Sequence, residues 1–194
     1  MPGRTLTRRS SLLLPFLLAA CGGREERLYP PLHYGHLTPL RLNVGAIQIE
    51  QRYVPSSAPP DVSQLDPMPP VQALRNMAED RLQAFGSAGR AVFAIQEASL
   101  TRQRDTILGS FAIELDVYTS DNTRAGFAQA RVTRSYTGDL DDLASKLYDM
   151  TKDMMDTMNV EFEFQVRRSL QAWLLPEGAA QTPVQQQPLV APPR

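Results

Sequence analysis

The last third of this 194-residue chain carries the pattern that most limits its fold. Leu140, Leu143, Leu147, Met150, Met154, Met158, Phe162, Val166 and Leu170 recur at steps of three and four. That period predicts one long helix over Leu140 to Leu174. Asp139 is placed to cap it, Asp141 and Asp142 favour its positive end, and Arg167 and Arg168 its negative end. Repeated steps of four drift around a helix of 3.6 residues per turn, so a single partner surface cannot cover the whole stripe. The expectation is that part of it, around Met154, Met155, Met158 and Phe162, stays exposed as a surface for a partner or an acyl chain. The methionines could also be read as soft copper ligands, but their spacing fits gap-filling in a core better.

The rest of the chain supplies strands against which such a helix can pack. Leu40, Leu42, Val44 and Ala46 alternate, and the phase then changes to Ile47 and Ile49 beside Gly45. This predicts a first strand over Leu40 to Val54 with a bend or bulge. Pro55 to Pro70 is a proline-rich loop that cannot enter a sheet interior. Val71, Leu74, Met77, Ala78, Leu82 and Phe85 then recur at helical spacing, closed by Gly86 and Gly89. Ala91 to Thr101 gives a second strand, and Phe111 to Tyr118 alternates strictly as a third. Gly126 to Tyr136 gives a fourth after the turn-rich Ser120 to Thr123, so the last two strands should form an antiparallel hairpin.

The order strand, helix, three strands, helix predicts an α+β fold: a two-layer sandwich of about four antiparallel strands with both helices on one face. The domain is expected over residues 40–175. Gly22 to Pro39, with Pro30, Pro31 and Pro39, reads as an extended linker of at most about 60 Å. Residues 176–194 read as a disordered tail, with Gln181 to Arg194 rich in proline and glutamine.

The amino terminus is of a different kind. Arg4, Arg8 and Arg9 form a basic region, and Leu12 to Leu18 an apolar run far short of the ~20 residues needed to span a bilayer. Leu18-Ala19-Ala20-Cys21-Gly22 follows, and it resembles the lipobox of bacterial lipoproteins. The resemblance implies a signal peptide over residues 1–20, cleavage before Cys21 and covalent lipid on its thiol, with no cofactor. Two or three acyl chains, at about 0.8 kcal/mol per buried methylene, anchor firmly. Cys21 is the sole cysteine, so neither a disulfide nor a cysteine metal site is expected. The implied location is the bacterial envelope facing the periplasm. Gly rather than Asp at position 22 points to the outer membrane.

Removing residues 1–20 takes three of the 20 basic side chains and none of the 21 acidic ones, leaving a formal charge of −4. Nucleic-acid binding requires a basic footprint and is set aside. His33 and His36, both in the linker, stand apart from any cysteine or carboxylate cluster, so no metal site is expected. Asp149, Asp153 and Asp156 read as solvated. Gly86-Ser87-Ala88-Gly89 ends a helix rather than opening one, which leaves phosphate cradling unsupported. With no nucleophile and base in reach of each other, the chain reads as a non-enzyme.

Below the lipobox, the element order, Glu97-Ala98-Ser99-Leu100 and Arg131-Val132-Thr133-Arg134-Ser135-Tyr136 resemble the periplasmic auxiliary lipoproteins of lipid-handling ABC transport systems. The element order is also similar to that of the LPS-assembly lipoprotein. The resemblance implies a membrane-anchored auxiliary or assembly part of a lipid or lipopolysaccharide transport complex, with envelope transport proteins as partners. The alternative is a structural or envelope-stress lipoprotein that binds cell wall or other envelope proteins.

Overall fold

The structure is a computed structural model and describes residues 27–176. The signal region, Cys21 and the tail beyond Pro176 lie outside the described residues. The fold is α+β: a four-stranded sheet and a small two-stranded one, with two helices packed on the same sheet face.

The phase change at Gly45 divides the expected first strand in two. β1 (Leu40–Leu42) buries Leu40 and Leu42, and β2 (Ala46–Gln51) turns Ile47 and Ile49 toward the core. The bend between them crosses the turn at Gly86. A Cβ at Gly86 would lie 2.6 Å from the Asn43 carbonyl carbon, so only glycine fits that crossing.

α1 (Pro70–Arg81) starts with proline at its first position, where the missing N–H is no loss, and buries Ala73, Leu74, Met77 and Ala78. It stops four residues before the periodicity predicts. Leu82 turns extended, and β3 (Leu82–Ala84) pairs in parallel with β1, Leu40 opposite Leu82 and Leu42 opposite Ala84. Leu82 is buried in its extended conformation, paired with Leu40. Gly86 and Gly89 therefore belong to the turn after β3, not to a helix end.

β4 (Arg90–Gln103), β5 (Thr106–Tyr118) and β6 (Arg124–Thr137) form an antiparallel meander, and the predicted hairpin of the last two strands is present. β2 lies on the outer side of β4 in parallel register, Ile47 opposite Ala91 and Ile49 opposite Phe93. The sheet is therefore mixed, in the order β2-β4-β5-β6, and not antiparallel as expected. The cause is the connection: the chain leaves β2, crosses through α1 and returns in the same direction. A bulge between Ile95 and Glu97 switches the core phase of β4 from Ala91, Phe93 and Ile95 to Ala98 and Leu100. The proline-rich loop covers the edge of β4 beyond β2, where Val62 N–H donates to the Leu100 carbonyl at 2.8 Å and Arg102 N–H to that of Pro60 at 2.8 Å.

α2 (Leu143–Ser169) is capped by Asp142, whose Oδ1 accepts from Ser145 N–H at 3.2 Å. Asp139, the expected cap, instead accepts from Asp141 N–H in the preceding turn. Arg167 and Arg168 occupy the last turn as predicted. After Ser169 a 3-10 turn over Gln171–Trp173 leads to Leu174, which bridges back to Leu42.

Three surfaces surround the buried side of α2: the sheet, α1 and the amino-terminal segment. Met150 and Met154 face the sheet, where a Cβ on Gly109 would sit 2.4 Å from the Met154 sulfur, and Phe162 meets Phe93 edge-on at 5.6 Å. Farther round the helix, Asn159 meets Arg81 of α1, and Tyr148 meets residues that precede the sheet.

Candidate functional site: a seated amino-terminal segment and an open strand edge

The segment read as a free linker is largely seated on the domain. Arg27 donates to Ser145 and, at 2.6 Å, to Asp149 at the start of α2. The Tyr29 ring packs against Tyr148 with centroids 5.2 Å apart, and the Tyr148 hydroxyl donates to the Pro30 carbonyl at 2.9 Å. Asn76 Nδ2 holds the Leu32 carbonyl at 3.0 Å, and Asp80 accepts from Tyr34 N–H at 2.6 Å. Arg81 Nε donates to the Thr38 carbonyl at 3.1 Å. The extended tether expected over Gly22 to Pro39 is thus fixed from Arg27 onward, because its aromatic and backbone groups find partners on both helices. Tyr34 is buried, and its hydroxyl has no partner among the described residues; burial, with Asp156 and Asp80 nearby, pushes the phenol well above its usual range.

The residues expected to offer a partner surface are in the core. Met154, Met155, Met158 and Phe162 are all 0% exposed. The reading failed because it allowed the stripe one covering surface, whereas sheet, α1 and the amino-terminal segment share it. Cys21, the expected lipidation residue, and Leu18, Ala19 and Ala20 of the expected lipobox lie outside the described residues.

What the sequence reading missed lies on the opposite side of α2. Val160 and Phe164, one helical turn apart, are 73% and 56% exposed. They share a flank with Asp153, which accepts from Arg134 of β6 at 2.6 Å, so this flank borders the last strand of the sheet. Among the described residues no strand pairs with the outer edge of β6. Val160 and Phe164 were legible as apolar positions off the stripe, but nothing in the sequence said that β6 would be last.

The sheet face away from the helices carries paired charges, with Leu108 and Phe127 40% and 47% exposed among them. Arg131 reaches Glu97 at 2.6 Å, and Arg124 bridges Glu114 at 2.9 Å and the buried Asp116. Burial alone would raise Glu97, but the Ser110 and Arg131 contacts outweigh it and hold the carboxyl below its ordinary range. Burial pushes Asp116 up despite Arg124. A shallow depression of about 430 Å³ on this face is walled by Glu114, Gln129 and Arg131, which already bond to one another or to Glu97. Asp66, joined to the Thr151 hydroxyl at 2.6 Å, is pushed by burial to about 6.

His33 lies 3.2 Å from Asp80, and His36 is on the surface. Among the described residues no group of three or more His, Cys, Asp or Glu is placed to hold a metal. No described helix is long and apolar enough to cross a membrane.

No family model matches this chain, and no curated protein matches it. Solved structures are similar in part, among them three lipoproteins. A candidate lipoprotein from Caulobacter crescentus CB15 is 10% identical over 62% of this chain and 85% of its own, with a TM-score of 0.32. A minor lipoprotein from Acinetobacter baumannii is 10% identical over 64% and 95%, with a TM-score of 0.34. A lipoprotein from Neisseria meningitidis is 8% identical over 61% and 99%, with a TM-score of 0.28.

Proposed function

We propose that this chain is a bacterial lipoprotein, cut before Cys21 and held by lipid on that residue at an envelope membrane, facing the periplasm. The observation that carries this reading is the ordered series of Arg4, Arg8 and Arg9, the apolar Leu12 to Leu18 run, and small residues before the sole cysteine. The outer membrane is favoured over the inner by Gly22.

The anchored domain works as a non-catalytic auxiliary or assembly component of a lipid or lipopolysaccharide transport complex. Its docking surface is the β6 edge with the adjoining flank of α2, not the buried methionines. A strand edge offers backbone donors and acceptors to an added strand, and Val160 and Phe164 offer apolar contact beside it. Site-specific crosslinking in cells from Val160 and Phe164 tests this. Recovery of one transport protein from these positions, absent when the probe sits at Asp121, is expected; only bulk abundant proteins from all three would overturn it.

A structural role in binding cell wall through the tail is the second reading. Loss of function on deletion of Gln181 to Arg194, with crosslinks from Val160 and Phe164 unchanged, would favour it.

A further inference from the structure

The two ends of the described chain are held in different ways. The carboxyl-terminal end is stitched to β1 backbone to backbone: Asn43 N–H donates to the Trp173 carbonyl, and Leu175 N–H to that of Arg41. Residues 27–37 have no such ladder. Among the described residues their one backbone–backbone hydrogen bond is internal, from Leu37 N–H to the Tyr34 carbonyl at 2.9 Å. The bonds that seat them on the helices run singly to side chains: Asp149 to Arg27, Tyr148 to the Pro30 carbonyl, Asn76 to that of Leu32, and Asp80 to Tyr34 N–H.

Of residues 27–37 only Tyr34 is buried, and its hydroxyl has no partner among the described residues, which weakens the seat. At Thr38 the character changes. Arg81, buried and bound also to Asn159 and Glu163, holds the Thr38 carbonyl. Breaking that contact would strand a buried guanidinium N–H, so Thr38 belongs with the core.

A segment with one buried side chain and no ladder opens at a lower free energy than the helices it lies on. We propose that residues 27–37 are a strap that releases from α1 and α2 while the domain stays folded, with Thr38 as its fixed end. Release lengthens the tether, and this consequence rests on the lipoprotein reading. Six peptide steps join Cys21 to Arg27, at most about 20 Å whatever path the chain takes; seventeen join it to Thr38, at most about 60 Å. The seated strap keeps the domain close to its anchor, and the released strap lets the same domain dock on a partner farther out.

Native-state hydrogen exchange on the mature, lipidated full chain in phosphatidylcholine vesicles tests the strap. The amides of Tyr34 and Leu37 are expected to exchange at least about tenfold faster than those of Leu147 and Met155 in α2, yet slower than in an unstructured chain. Met154→Ala, which weakens the core, should speed the α2 amides about tenfold or more and leave the strap amides unchanged. Ile113→Val gives the same contrast, in smaller measure, if Met154→Ala does not fold. Strap amides that speed up in step with α2, or that show no protection in the parent chain, would overturn the proposal.

The tether is read by energy transfer from a donor on Ser120→Cys to acceptor-labelled lipid. Asp80→Ala with Tyr148→Phe removes two of the strap's contacts, and transfer should fall about twofold as the tether lengthens. Unchanged transfer with faster strap exchange would refute the tether role. Flotation and the acyl mass of the amino-terminal peptide are read on the same sample. A chain with neither refutes the anchor, while the exchange rates still decide whether the strap opens.

Discussion

The guanidinium of Arg81, 1% exposed, donates to Glu163 at 2.6 Å across the seam between the two helices. The same group reaches Asn159 at 3.0 Å and the Thr38 carbonyl at 3.1 Å, so one side chain ties α1, α2 and the amino-terminal segment together. Replacing it strands three acceptors at once. Arg81→Ala is expected to lose about 3 kcal/mol in denaturant unfolding, the low end for a broken buried pair because Glu163 is partly solvated. Glu163→Gln keeps an acceptor and should lose about 1 kcal/mol.

Tyr34 gives the opposite result. Its ring is buried beside α1, but its hydroxyl has no partner among the described residues. Tyr34→Phe should therefore leave stability unchanged or raise it by about 1 kcal/mol, while Tyr34→Ala should lose about 3 kcal/mol through the cavity it opens. Paired thermal melts of the two variants check this.

Asp66 sets a pH dependence. Burial raises its carboxyl from 3.8 to about 6 in the folded chain, against the hydrogen bonds from Thr151 and Met68 N–H. The folded state thus holds a proton that the unfolded state has released. The stabilisation is fully present below about pH 4 and is lost as pH rises through about 6, a swing of about 3 kcal/mol. Asp66→Asn keeps the shape and can still meet Thr151 and Met68. The stability difference between variant and parent should shift in the variant's favour between pH 4 and 7; a constant difference would contradict the burial argument.

The buried methionines and the exposed flank separate core from surface. Met154→Ala should lose about 2–5 kcal/mol as a core truncation. Phe164→Ser, on the exposed flank, should change stability by less than about 0.5 kcal/mol. Equal losses would mean that Phe164 is covered in solution.

Much of this was legible in the sequence, and the misses share a cause. The alternation from Phe111 to Val117, the phase change at Gly45 and the Arg167-Arg168 end of α2 depend on neighbours along the chain, and period reports them. The parallel seat of β2, the switch of Leu82 from helix to strand and the burial of Met155 depend on partners far away in sequence. Leu82 is apolar at a position that suits either element, and only β1 decides between them. The seat of Arg27 to Thr38 was hidden for a further reason: prolines mark a segment that forms neither helix nor strand, and this one docks by single hydrogen bonds and the Tyr29–Tyr148 contact. The proposed lipobox at Leu18 to Cys21 is a contiguous run, so its reading does not depend on the fold.

Cys21 carries the central claim, and Cys21→Ser tests it most directly, by palmitate labelling and membrane fractionation of the full chain in cells. The account predicts that the parent chain labels and pellets with membranes, and that the variant takes no label and leaves the membrane fraction unless it is held uncleaved by its signal segment. A Cys21→Ser chain that still incorporates palmitate would contradict it.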